Sequence, residues 1–476
     1  MGGAHNLARL AEETLERHGD VPALCFDGAW HTSGELHERA ARVAGGLDVA
    51  PGERVVVLME NQPDVGVVYH AAWRAGAVVT PVIFLLPPAE LRRILVDSRA
   101  SLVVTSDTFR STVEEAADGT RVATPDELAA ADPGPIAPRD DGDLAALIYT
   151  GGTTGRSKGV MLTHDNLWHA GRAGHDHGYV PGISRGLTSL PLSHAFGLLV
   201  LAVGLHAREP ATTVLMRWFD PAAWLELAQE HRAQISAVVP SMLQLLLAQP
   251  LEDYDLSELR YVVSGAAPLP PEIAAAFERR VPGVELREGY GLSESTAIVS
   301  GNPPGGVRPG SVGVPVPGIE VRIDAPPGGV GEICVRSPTV MAGYWEAPEA
   351  TAEAVRDGWL HTGDLGRLDE DGYLYIVDRA KDLIIRGGFN VFPRDVEEAL
   401  LEHPAVASAA VVGRPDEAHG EEVVAFVTGD IAPDELVAFA KQRIGGYKYP
   451  REVHVVDALP LTPIGKIDRN ALRTRL

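Results

Sequence analysis

Short apolar runs bounded by turn residues alternate with segments of helical period along much of the chain. Arg54–Met59 is apolar without alternation, the pattern of a strand buried on both faces. Asp64–Gly76 then reads as a helix and Ala77–Thr80 as the next strand. Pro88–Ser98 carries Leu91, Ile94 and Leu95 on one helical face, and Leu102–Thr105 is again a strand. The unit recurs: Phe219–Ala233 as helix, Ile235–Val239 and Tyr261–Val263 as strands, and Pro271–Arg280 as a helix. The prolines opening that helix stand where a missing N–H does no harm. Strands alternating with helices imply α/β layers with largely parallel strands.

The texture changes from Gly306 to Val377, where Gly/Pro turns separate short strands such as Gly331–Val335 and Tyr373–Val377. A third pattern follows Asp378: strand at Ile384–Ile385, helix Arg394–Glu402, strands Val406–Val412 and Val423–Val427, helix Asp434–Ile444, strand Val453–Val456. This β-α-β-β-α-β order suits a small α+β domain. The expected organisation is therefore α/β. A large N-terminal domain (residues 1–378) holds layered α/β subdomains and a β-rich subdomain, and a small α+β C-terminal domain spans 379–476. The Ala/Asp/Pro/Gly stretch Ala130–Gly142 reads as a surface loop.

Composition narrows the function. With 476 residues, 45% of them hydrophobic, the chain can bury a sizeable core in more than one domain. A formal net charge of -24 repels phosphate backbones and anionic lipid, so nucleic acid and membrane surfaces are excluded as expected partners. Any anionic ligand must be held by a local site. Cys25 and Cys334, each in an apolar stretch, build neither a disulfide framework nor a zinc cluster and are expected as buried thiols. Met1–His18 is polar and amphipathic and lacks the order of a signal peptide. The longest apolar run, Phe196–Leu205, is about half a membrane span. No membrane insertion and a cytoplasmic location are the expectations.

The candidate chemistry begins at Tyr149–Gly159, YTGGTTGRSKG, directly behind the strand Leu144–Ile148. Gly151, Gly152 and Gly155 let backbone approach a polyphosphate closely. Thr150, Thr153, Thr154 and Ser157 add hydroxyls and Lys158 a positive charge, and successive N–H groups in such a loop form an anion nest. The order is not that of a Walker A loop, because Lys158 follows serine and precedes glycine. A flexible Gly/Ser/Thr linker is the bland alternative, but linkers rarely carry a lysine immediately behind a strand. This loop resembles the signature of the adenylate-forming superfamily, which comprises acyl-CoA synthetases, peptide-synthetase adenylation domains and firefly-type luciferases. The resemblance runs over nearly the whole chain in the family's motif order.

Several assignments follow from that resemblance. Glu288–Glu294, EGYGLSE, is similar to the family's aromatic-Gly-x-Thr/Ser-Glu motif. It implies Glu294 as the Mg²⁺ ligand, as suits a carboxylate beside a tight turn. It also implies that Tyr290 packs on adenine and that Gly289, Gly291 and Ser293 line the nucleotide. Ser264-Gly265-Ala266-Ala267-Pro268 is similar to the adenine-binding strand-turn. Asp364, in Thr362-Gly-Asp364, is the implied acceptor for the ribose hydroxyls, and Arg379 reaches the ribose or phosphate side. Lys381–Asp382 falls at the family's hinge, and Arg386–Asn390, with Gly388, resembles the glycine loop of the pantetheine tunnel. Pro463–Ile467 resembles the catalytic-lysine loop, which makes Lys466 the residue that neutralises carboxylate and α-phosphate as they approach. His194, in Pro191–Gly197, matches a family aromatic or histidine near the reacting carboxylate; a satisfied core histidine is the bland alternative. Thr154 joins Lys466, His194 and Glu294 as a catalytic candidate.

The resemblance implies two steps with ATP, Mg²⁺ and coenzyme A. A carboxylate attacks the α-phosphorus and expels pyrophosphate, and a nucleophile then takes the acyl group from the adenylate. The small C-terminal domain is expected to be mobile and to swing between the steps. Coenzyme A is the expected acceptor; a carrier-protein thiol (that of an acyl carrier protein), an amine or a small inorganic nucleophile are alternatives. A non-catalytic nucleotide-binding paralogue is a further alternative. Amino-acid-activating relatives place an aspartate just after the position matching His194; Ala195 stands there, and no carboxylate appears until Glu209. An ammonium group would lack a partner, so an aliphatic or aromatic acid is expected. Two departures from the family pattern, Pro81–Phe84 and His206–Pro210, touch no motif assigned to chemistry.

Overall fold

The computed structural model describes residues 3–150, 157–379, 382–387, 389–416, 419–462 and 467–476. It has two compact units: residues 1–321 with 335–361, and residues 322–334 with 362–476.

The first unit contains two large sheets. One is seven-stranded, in the order Gly343–Tyr344, Lys158–Thr163, Leu144–Thr150, Val78–Pro81, Arg54–Leu58, Ala100–Thr105, Arg121–Ala123. Arg54–Leu58 pairs in parallel with both neighbours, with Val55 opposite Val79 and Leu102. Its unbroken apolar run is explained by this central position, where both faces are covered. The other sheet is nine-stranded, in the order Val314–Pro315, Ser300–Gly301, Glu285–Tyr290, Tyr261–Ser264, Ile235–Val238, Arg185–Thr188, Thr212–Leu215, Pro22–Phe26, Ala29–Thr32. From Pro22–Phe26 to Glu285–Tyr290 every pairing is parallel.

The helix Pro63–Arg74 shows why the core holds. Seven of its twelve residues are buried, including Val65, Val68, Tyr69 and Trp73. Trp73 Nε1 donates to the Ala145 carbonyl of the seven-stranded sheet at 3.0 Å. Tyr69 Oη donates to the carbonyl of Leu192, which follows a strand of the other sheet, at 3.1 Å. Each buried aromatic contributes about 1.5–3 kcal/mol through apolar area, and its polar tip is satisfied rather than orphaned. Pro88–Ser98 and Pro271–Arg280 are helices over the residues the sequence indicates. No named helix or strand lies between Ala130 and Asp143, as a surface loop requires. Both cysteines are buried and free.

The second unit carries a sheet in the order Phe389–Val391, Ile384–Arg386, Gly420–Gly429, Val406–Asp416, with Glu452–Val455 beside Gly420–Gly429. Period-two alternation divides its core. Val411, Val423, Ala425 and Val427 pack with Val396, Leu400 and Leu436 of the helices Pro393–Leu401 and Pro433–Arg443. Val412, Val424 and Phe426 point the other way, onto Leu472. The strands run longer than the apolar runs suggested, and the hairpin strand Phe389–Val391 and the closing helix Arg469–Arg473 are additions. Among the described residues no helix is long and apolar enough to cross a membrane.

Candidate active site

The phosphate-loop candidate is the mouth of an antiparallel hairpin. Leu144–Thr150 pairs with Lys158–Thr163, and Thr150 lies opposite Lys158. Ser157 Oγ donates to the Thr150 carbonyl at 2.8 Å. Both ends of the loop are thus fixed by strand pairing, and Lys158 leaves the first position of a strand rather than a loose tail. Gly151, Gly152, Thr153, Thr154 and Gly155 lie outside the described residues.

Glu294 sits on a short 3₁₀ turn, Ser293–Ser295, after the strand Glu285–Tyr290. The chain reverses there through two successive left-handed residues, Thr296 (φ 54°) and Ala297 (φ 62°). Gly291 makes room for the reversal: a Cβ at that position would stand 2.3 Å from the Ala297 carbonyl carbon. Thr296 Oγ1 donates to the Thr339 carbonyl at 2.7 Å, and Met341 N–H donates to the Glu294 carbonyl at 2.8 Å.

Tyr344 joins the loop mouth to the acidic turn. It lies on the two-residue strand Gly343–Tyr344, paired with Val160 of the hairpin. Its hydroxyl donates to Glu294 Oε1 at 2.7 Å, and Lys158 Nζ stands over its ring, 4.9 Å from the centroid. Burial, then the Glu294 charge and the hydrogen bond, push the phenol far above its ordinary range, so it remains a neutral donor. Among the described residues no cation pairs with Glu294. A half-buried carboxylate held by a neutral phenol offers a hard oxygen that suits a divalent cation such as Mg²⁺. Sequence reasoning missed Tyr344; its role depends on a pairing across fifty residues of chain that no local pattern reports.

Gly265, Ala266 and Ala267 follow the strand Tyr261–Ser264, beside Glu285–Tyr290, with Ser264 opposite Glu288. A Cβ on Gly265 would lie 3.4 Å from the Gly289 carbonyl oxygen and 3.5 Å from the Phe196 ring. The turn thus brings a bare backbone surface beside Gly289 and an aromatic edge. Ala266 holds φ 68°, a conformation costing an L-residue roughly 1–2 kcal/mol. The hydroxyls of Thr188, Ser193 and Ser264 are buried without a partner among the described residues. Thr188 and Ser264 close parallel strands at their C-terminal ends, where open α/β sheets bind ligands.

His194 caps the helix Ala195–Gly204, and its Nδ1 accepts from the Phe196 N–H at 3.2 Å. That bond leaves Nε2 as the protonated nitrogen of the neutral ring. Ala195 is buried in the first turn of this apolar helix. Glu209 is engaged elsewhere, accepting from Tyr179 Oη at 2.7 Å. The segment before His194 is held by Asn61, also missed in the sequence. The Asn61 amide donates to the Leu190 and Met216 carbonyls at 2.9 and 3.1 Å and accepts from Leu192 N–H at 2.9 Å.

In the second unit Asp364 is 5% exposed and lies directly opposite Arg379 in the hairpin of Trp359–Leu368 and Leu374–Arg379. The two residues implied for the ribose are therefore register partners. Gly388 and Lys466 lie outside the described residues. The base of the Lys466 segment is closed by a bridge between Leu461 and Ile467. Arg469 beyond it pairs with half-buried Glu397 at 2.6 Å.

A hairpin-borne lysine, a neutral tyrosine, a carboxylate that no cation among the described residues pairs with and a small-residue turn at parallel strand ends suit an enzyme that handles a nucleotide polyphosphate with its metal. Comparison with known proteins names the class. Residues 11–345 match the AMP-binding enzyme family and residues 395–466 match the AMP-binding enzyme C-terminal domain; the chain belongs to this family. A feruloyl-CoA synthase of Amycolatopsis sp. is 39% identical, over 97% of this chain and 96% of the relative. ATP-bound MatB from Rhodopseudomonas palustris superposes with a TM-score of 0.92 at 34% identity, covering 99% of each chain. The amide bond synthetase McbA from Marinactinospora thermotolerans superposes with a TM-score of 0.90 at 32% identity, over 98% of this chain and 99% of that one.

Proposed function

We propose that the protein is an AMP-forming acid–thiol ligase acting on an aliphatic or aromatic carboxylic acid without an α-amino group. ATP activates the acid to an acyl-adenylate with release of pyrophosphate, and coenzyme A takes the acyl group. The observation that carries the reading is the chain Lys158–Tyr344–Glu294, in which one neutral ring has a cation over its face and a carboxylate on its hydroxyl. Both reactants are anions, so the enzyme's work is positioning and charge neutralisation.

Glu294 holds the metal, and bound Mg²⁺ neutralises phosphate charge. Lys158 and the Thr150–Gly155 loop hold the phosphates. Gly265, Ala266, Ala267, Gly289, Tyr290, Gly291 and Ser293 line the base, and Asp364 and Arg379 take the ribose. Lys466 neutralises the reacting carboxylate and α-phosphate, with Thr154 beside the phosphates. His194, whose neutral ring donates from Nε2, orients the carboxyl group. Residues 379–476 move as a domain about Lys381–Asp382 between the half-reactions, and Gly388 serves the pantetheine passage. The exclusion of amino acids is supported by buried Ala195 and by Glu209, which is committed to Tyr179.

The experiment is a pyrophosphate-release screen over fatty, aryl and amino acids, with mass spectrometry of the product. Acid-dependent pyrophosphate release with formation of an acyl-CoA is expected, and release driven best by amino acids refutes the substrate class. The likeness to an amide bond synthetase supports one second reading, in which an amine is the acceptor. Acid-dependent AMP formation unaffected by coenzyme A but raised by an amine would select it. A carrier-protein thiol is tested in the same assay.

A further inference from the structure

We propose that His5, Asp165 and His169 form a binding site for one divalent cation of the zinc class, apart from the nucleotide site. Asp165 and His169 lie one turn apart on the helix His164–Gly178 and project from the same face. His5 comes from the segment before the helix Leu7–His18. Its ring stacks on Trp168, with centroids 3.9 Å apart, and its backbone N–H donates to Asp141 Oδ1 at 2.8 Å. The third ligand is thus delivered by ordered backbone and a fixed ring.

One ligand atom from each of the three residues falls within 4.8 Å of the others. His169 Nε2 is 3.4 Å from Asp165 Oδ1, and His5 Nδ1 is 2.6 Å from the same oxygen. A tetrahedral ion with bonds of about 2.0–2.2 Å spaces its ligand atoms roughly 3.3–3.6 Å apart. The His169–Asp165 spacing already meets this. The His5–Asp165 contact is a direct hydrogen bond; when the ion takes Nδ1, the neutral His5 ring carries its hydrogen on Nε2 and the pair opens by less than about 1 Å. Two neutral imidazoles and one carboxylate make a borderline-soft donor set, which selects zinc-like ions over Mg²⁺. Water completes the coordination.

The surrounding charges are mixed. Asp141 faces the site beside the Asp165 carboxylate, and the Arg172 guanidinium lies over Trp168 at 5.2 Å. A second His-and-carboxylate set, Asp416, His419 and Glu422, is poorer, because Glu422 is already paired with Arg386 at 2.5 Å.

The test uses the full chain stripped by chelator and held in excess Mg²⁺ to occupy hard-oxygen sites. Zn²⁺ is titrated by calorimetry in two buffers, Co²⁺ by visible absorption, and unfolding temperature is read with and without Zn²⁺. The expected result is one site per chain, a four-coordinate Co²⁺ spectrum and a Zn²⁺-dependent rise in unfolding temperature. His169→Ala and His5→Gln each weaken binding by about tenfold or more, and His419→Ala leaves it intact. No Zn²⁺ binding, wild-type affinity in both site variants, or loss only in His419→Ala overturns the proposal. None of these readouts uses ligase activity, so the proposal stands or fails independently of the assigned reaction.

Discussion

Gly291→Ala tests whether the acidic turn is built as tightly as its geometry indicates. The new Cβ would stand 2.3 Å from the carbonyl carbon of Ala297, 2.4 Å from its oxygen and 2.5 Å from Ile298 N. All three are backbone atoms, so no side chain can swing aside. Carbon contacts are comfortable at about 3.5–4.0 Å, so the strand end and the Thr296–Ala297 reversal must part by roughly 1 Å. Overpacking of this kind costs about 1–3 kcal/mol, a fall of a few degrees in unfolding temperature for a unit of this size. Glu294 lies between the two segments forced apart. A displacement of about 1 Å in a positioning group costs on the order of 10²-fold in rate. The comparison variant is Gly142→Ala, whose Cβ meets nothing within 4 Å. Thermal unfolding and acid-dependent pyrophosphate release should single out Gly291→Ala in both readouts. Wild-type turnover and stability in Gly291→Ala would refute the account of the turn.

Three other outcomes are expected. Lys466→Ala should cut adenylation by orders of magnitude while transfer from preformed acyl-adenylate stays nearly intact; equal loss in both half-reactions contradicts the role proposed for it. Tyr344→Phe removes the donor that orients Glu294 and should raise the Mg²⁺ concentration for half-maximal rate by about 10-fold or more, with little change in unfolding temperature; an unchanged Mg²⁺ requirement refutes the link. Burial depresses His70 and His164 from the ordinary 6.5 to about 4. Above pH 6.5 both states are neutral and these groups add no pH dependence. Between 6.5 and about 4 the unfolded chain binds protons the folded chain refuses, so stability falls with pH, and the loss is complete below about 4. At 1.36 kcal/mol per unit, each contributes on the order of 3 kcal/mol, and a urea midpoint that stays constant across this window would refute it.

Local pattern carried the elements whose signal is contained in their own residues. Pro88–Ser98 and Pro271–Arg280 have a proline start and an apolar face within one window, and the structure places helices there. The strand Lys158–Thr163 was not legible, because its polar first residues read as the end of the glycine-threonine segment before it. Tyr344 and Asn61 were not legible. Each acts through partners fifty residues or more away, Glu294 for one and Leu190, Leu192 and Met216 for the other. The left-handed Ala266 was also invisible, because alanine in sequence predicts the opposite preference. Strand lengths in the second unit were underestimated because pairing continues past the apolar residues into Arg414, Glu421 and Glu422.

The Asn61 side chain has a consequence for redesign. One amide pins three main-chain groups around Leu190 and Leu192, so the path of the chain into the helix Ala195–Gly204 is set from behind rather than by that helix's own side chains. Substitutions at Asn61 should therefore disturb the peptide that carries His194 more than substitutions at the partly buried Val200 do.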